Sequence, residues 1–182
     1  MSFDRDGLVE QIGAATERLL TSVRQMPDSD MGRSSLLPGW TRGHVLTHVA
    51  RTGDAMCNLL AWARTGAETA AYQSAHARAA DIEAGAGRGS AELLADVTAT
   101  AAAFAAAAGA LPDSAWRVRV WVLGGAEFPA GQVLVRRLVE VELHHTDLDV
   151  GYGPGDWPTS FAEMELPEPM LSQRKDRMNR AS

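Results

Sequence analysis

Four long stretches of this chain place apolar side chains every three to four residues, and each stretch ends at a glycine or proline break. That punctuated helical period commits most of the sequence to amphipathic helices. The first, over residues 4–25, sets Leu8, Ile12, Ala15, Leu19 and Val23 on one stripe and Arg5, Glu10, Glu17 and Arg24 on the opposite side. Met26-Pro27-Asp28 closes it, because proline disfavours helical geometry in the residue before it. Thr41 is placed to cap a second helix over residues 42–64, striped by Val45, Val49, Met56 and Leu60. Gly43 and Gly53 each cost that helix about 1 kcal/mol relative to alanine, which points to close packing at both positions. A third helix starts after Ser90, read as its N-cap, and runs through Leu93, Val97, Ala101, Phe104 and Ala108 to Gly109. A fourth covers residues 130–150.

The connections are less regular. Residues 65–89 form a long link with room for a short helix. Trp116 to Val122 alternates like a strand, Gly124-Gly125 reads as a turn, and Glu127-Phe128 as the returning arm. The expected fold is all-α, a four-helix bundle with a short β-hairpin between the third and fourth helices. Residues 1–157 make up that bundle. Residues 158–182, broken by Pro167 and Pro169 and then polar, read as an irregular, frayed or weakly helical tail.

Composition narrows the partners. With 182 residues the chain makes one domain and a short appendage, and its net charge of −6 argues against nucleic acid. A single cysteine, Cys57, can form neither an internal disulfide nor a cysteine-rich zinc cluster, so a cytoplasmic setting is expected. Neither a leader-like start nor an apolar run long enough for a bilayer is visible, the longest uncharged run being Val97 to Leu111. No membrane partner is expected.

Chemistry concentrates in the histidines. His44 and His48 share a face of the second helix; Glu140 and His144 share one on the fourth, with Asp147 near the same line. His145 points about 100° away from His144. Two imidazoles and one carboxylate are a common catalytic zinc set, and His48 is the natural third donor to Glu140 and His144. The alternative is a solvated Glu140–His144 surface pair and a core His48. Arg137, one turn before Glu140, either pairs with it or attracts an anion. Cys57 lies nine residues past His48, on roughly the opposite side, and reads as a buried, inert side chain. His76 reads as surface, while Trp40 is close enough to line a pocket with His48.

Leu37-Pro38-Gly39-Trp40-Thr41-Arg42-Gly43-His44-Val45-Leu46-Thr47-His48-Val49-Ala50-Arg51 resembles the N-terminal domain of mycothiol-dependent maleylpyruvate isomerases. Arg137-Leu138-Val139-Glu140-Val141-Glu142-Leu143-His144-His145-Thr146-Asp147-Leu148 resembles that family's second motif, within the wider DinB-like group of metal-binding four-helix bundles. The resemblance implies zinc ligands at His48, Glu140 and His144, no ligand role for His44, and Asp147 orienting His144. It also implies mycothiol as thiol cosubstrate and cis–trans isomerisation of a small electrophilic acid. A mycothiol S-transferase or a non-catalytic metal-binding bundle would carry the same motifs. Two departures stand out. The residues after Trp157 do not resemble the family's second, C-terminal domain, which reads as missing, and Thr52-Gly53 is atypical.

Overall fold

The computed structural model describes residues 4–123 and 125–180. Helix α1 (Arg5–Arg24) is capped by Asp4, whose carboxylate accepts the Gly7 N–H, and buries the predicted stripe. After one turn, α2 (Asp28–Met31), comes α3 (Arg42–Thr65), the central helix. Thr41 caps α3 through the His44 N–H, and the His44 ring reaches back to the Thr41 N–H in a reciprocal capping box. Gly66, at φ +73°, ends α3 with its N–H on the Trp62 carbonyl.

The long link contains α4 (Ala75–Ala86), capped by Ser74 and packed along α3. The two approach closely because both present glycine. A Cβ on Gly43 would overlap the Ala86 carbonyl oxygen, and one on Gly85 would meet Thr47 Cγ2 at 2.5 Å. Helix α5 (Ser90–Gly109) starts one residue earlier than expected. Gly89 is its N-cap, and the Ser90 hydroxyl and N–H both donate to Asp28 Oδ1 at 2.7 Å. By length and composition alone α5 is long and apolar enough to cross a membrane, a test that core helices of soluble proteins also pass. In the fold it is a wall of the bundle, with Leu93, Val97, Thr100, Phe104 and Ala108 buried.

The strand expected over residues 116–122 shrinks to β1 (Arg119–Val120), because Asp113–Arg117 coils into a 3-10 turn. It pairs antiparallel with β2 (Phe128–Pro129), so the hairpin is present. Gly124, assigned to its turn, lies outside the described residues. Helix α6 (Gln132–Asp147) stops at Leu148, before Asp149 takes φ +55°, three residues short of the expected end.

Helices α1 and α3 each pack against both α5 and α6, closing a four-sided bundle around a core that includes Leu19, Leu46, Leu59, Leu134 and Leu138. Burying each such leucine stabilises the fold by roughly 1.5–3 kcal/mol. The described residues thus form a mostly helical four-helix bundle with one small sheet, the architecture that the resemblance to the DinB-like group implies.

The expected frayed tail needs correction. Residues 158–180 contain α7 (Thr159–Ala162) and an 11-residue helix, α8 (Met170–Arg180), docked on α6. Phe161 and Met170 enter the core, and arginines make most of the polar contacts: Arg174 donates to the Phe161 carbonyl and Arg177 to Asp147.

Candidate metal centre

The capping box of α3 and the register of α6 aim three side chains at one point. Glu140 Oε2 lies 3.0 Å from His48 Nε2 and 3.2 Å from His144 Nε2. One ligand atom from each residue falls within 4.8 Å of the others. The two rings meet edge to face, with centroids 4.5 Å apart, and Trp40 packs on His48. The His144 and Glu140 side chains are 13% and 29% exposed and Glu140 reaches across to the buried His48, so this is no solvated surface pair.

The protonation of His144 follows from its outer partner. Its Nδ1 donates to Asp147 Oδ2 at 2.9 Å, and Asp147, itself fully buried, also accepts from Arg177 Nη2 at 2.7 Å. With the proton held on Nδ1, a neutral His144 turns its Nε2 lone pair toward the Glu140 oxygen. Two lone pairs at that distance repel unless a cation or a proton lies between them. In the metal-free protein a proton fills that role. Burial opposes a charged His144, but the hydrogen bonds to Asp147 and Glu140 prevail and raise its pKa to about 9. Burial likewise opposes ionised Glu140, yet its two histidines hold it well below the usual carboxylate range. Burial pushes His48 the other way, downward.

Arg78 from α4 donates to His48 Nδ1 at 3.0 Å. A guanidinium has no acceptor, so His48 carries its proton on Nε2 and donates it to Glu140. The donor set suits a divalent metal, two neutral imidazoles and a carboxylate, but ligation through His48 Nε2 requires that proton to move to Nδ1 and Arg78 to withdraw.

A cavity of about 340 Å³ opens over the three residues, lined by Trp40, Tyr72, Leu143, Arg78 and Arg177 among others. The sequence did not single out Tyr72, Arg78 or Arg177. The first two lie in the link and the third in the segment read as a tail. Other candidates lie elsewhere. His44 turns to Glu83, and His145 stacks on Tyr152 with its Nε2 2.8 Å from Ser22 Oγ. His76 is exposed. Cys57 is outside the cluster and half-buried rather than buried, and burial raises its thiol pKa. Arg137 makes no hydrogen bond to Glu140; its Nη1 donates to the Val49 carbonyl at 2.8 Å.

Comparison with known proteins adds the following. The family described as mycothiol maleylpyruvate isomerase N-terminal domain matches residues 12–149. A crystal structure of the mycothiol-dependent maleylpyruvate isomerase is similar over 88% of this chain and 68% of its own, at 30% identity and a TM-score of 0.83. The structure of a histidine-to-alanine mutant of the mycothiol-dependent maleylpyruvate isomerase is similar over the same shares, at 29% identity and the same TM-score. No curated protein matches the chain.

Proposed function

The chain belongs to the mycothiol maleylpyruvate isomerase N-terminal domain family, and from that premise we propose that His48, Glu140 and His144 hold a zinc ion at which a mycothiol thiol isomerises a small cis-unsaturated acid of the maleylpyruvate type. The observation that carries this reading is the convergence of one ligand atom each from His48, Glu140 and His144 within 4.8 Å, with His144 Nδ1 already committed to Asp147. That arrangement favours a cation between them. When bound, zinc would lower the pKa of a thiol so that thiolate forms near neutral pH.

The protein's own groups do the rest. Asp147 holds the His144 proton on Nδ1 and keeps Nε2 free as a donor atom. Trp40, Tyr72 and Leu143 line the cavity and give it an apolar side against the reacting atoms. Once Arg78 leaves His48, its guanidinium is available to a substrate carboxylate. Thiolate addition to the cis double bond leaves a single bond free to rotate, and expulsion of the same thiolate gives the trans acid with nothing consumed. On this reading residues 1–157 are the metal-binding bundle, residues 158–182 are an appendage against it, and the setting is a cytoplasm where the thiol stays reduced.

The test is elemental analysis of the purified protein beside His48→Ala and His144→Ala, with turnover of maleylpyruvate followed in the presence of mycothiol. The expected result is about one zinc per chain, lost with activity in both variants. Unchanged zinc in both would show the wrong ligands. Conjugate accumulating without trans product would assign an S-transferase instead, and stoichiometric zinc without any thiol-dependent turnover a binding bundle.

A further inference from the structure

The bundle holds a second charged site on its other side. Arg137 is completely buried, and its guanidinium crosses from α6 to α5, where the central carbon lies 5.9 Å from the Phe104 ring centre. Nη1 is satisfied by the Val49 carbonyl, whereas Nε and Nη2 find no hydrogen-bond partner among the described residues. A guanidinium does not give up its proton in a protein; burial opposes the Arg137 charge, and Glu140 and Asp54 support it without a hydrogen bond, which leaves two N–H groups unmatched. The packing nevertheless fixes it there.

Arg137 forms part of the floor of a groove between α1 and α5 with a volume of about 330 Å³. The walls are apolar, chiefly Val9, Ile12, Leu20, Phe104 and Ala108. A concave apolar slot of this size with one charged group suits a small organic ligand. The complement of a guanidinium with two free N–H edges is a carboxylate, which both donors engage at once. The complement of the walls is an alkyl chain. Glu17 at the rim is exposed and repels a second negative charge.

We propose that the α1–α5 groove binds a monocarboxylate with a medium-length alkyl chain, its head on Arg137 Nε and Nη2 and its tail along the apolar walls. The groove shares no lining residue with the cavity over the three candidate ligands, and binding does not require metal.

Hexanoate, octanoate and 1-octanol are the probes, titrated calorimetrically against the full chain with chelator present. Octanoate binds one to one and more tightly than hexanoate, by about fourfold per added methylene. Octanol binds at least about tenfold more weakly than octanoate, because it leaves the guanidinium unpaired. Arg137→Met removes the head-group contact and abolishes the preference for octanoate over octanol. Should that variant fail to fold, Gly13→Phe decides. Gly13 lines the groove on the exposed side of α1, and a Cβ there meets nothing within 4 Å, so phenylalanine is accommodated without touching Arg137 and narrows the groove. Loss of octanoate binding in Gly13→Phe supports the proposal. No binding by the wild-type protein at millimolar octanoate, equal affinity for octanol, or unchanged binding in Gly13→Phe overturns it.

Discussion

Arg78 and His48 show how one hydrogen bond sets a tautomer against a function. The guanidinium fixes the His48 proton on Nε2, the atom that would have to be bare to bind metal. Arg78→Met removes both that donor and a nearby positive charge, so metal affinity rises by about tenfold, the worth of one charge-assisted hydrogen bond. Competition with a chromogenic chelator measures it, and unchanged or weaker affinity would mean Arg78 does not oppose ligation. Burial also lowers the His48 pKa, and together with two other histidines His48 sets the pH dependence of the metal-free protein. His145 is buried against Tyr152, and burial followed by the nearby Arg18 lowers its pKa to about 4. Between that value and the unfolded value near 6.5 the unfolded chain binds the extra proton, so stability climbs with pH. His144, raised to about 9, behaves oppositely. Its contribution is complete below pH 6.5 and disappears as pH passes 9, a loss of at most about 3 kcal/mol. Glu140 and Asp147, both held low, steepen only the acid side. Thermal unfolding in chelator should therefore peak near pH 6.5, with the acid limb flattened in His145→Phe. A stability that keeps rising to pH 9 would show that His144 is neutral in the folded protein.

Each helix announced itself in the sequence to the degree that apolar burial forms it. The stripes of α1, α3, α5 and α6 were legible because the core takes leucine, isoleucine and valine at helical spacing. Helix α8 was not, since beyond Met170 its one buried side chain is Arg174, and an arginine turned inward looks like any surface arginine in sequence. The site followed the same rule. Glu140 and His144 could be paired by spacing, with His48 joined to them as the natural third donor and by the family resemblance, while Arg78 and Tyr72 depend on how α4 lies on α3, which no local pattern encodes. That approach was hinted at only by Gly43. Replacing Gly43 with alanine forces α4 off α3 at the Ala86 carbonyl and should destabilise the protein by roughly 1–3 kcal/mol despite the better helix propensity. Gly13→Ala, on an open face of α1, should instead stabilise by about 0.5–1 kcal/mol. Denaturant unfolding of the pair separates packing from propensity, and equal shifts of the same sign would remove the close-approach argument.

At the scale of the whole molecule, the bundle supplies the three candidate ligands, and the added segments supply the charges around them. Helix α4 brings Arg78 to the cavity and α8 brings Arg177, which ties the last helix to Asp147 and through it to His144. The Arg177–Asp147 pair is nearly dry, with side chains 10% and 0% exposed, so cutting it leaves a buried carboxylate with a single partner. Breaking such a pair costs about 3–5 kcal/mol. That exceeds what a short polar helix holding mainly Met170 and Arg174 in place can retain, so α8 should open locally while the four-sided bundle stays closed. Lys175 is the only lysine in the chain and sits on α8, which gives a direct readout. A lysine-specific protease should cleave Arg177→Gln at Lys175 at least about tenfold faster than the wild-type protein, with hydrogen exchange in α1, α3, α5 and α6 unchanged. Loosening α8 also bares the Asp147–His144 bond to water, so metal release should quicken in the same variant. Cleavage at the wild-type rate would mean that Phe161 and Met170 alone hold α8 down, and that the metal centre does not depend on the arginine that reaches it from the end of the chain.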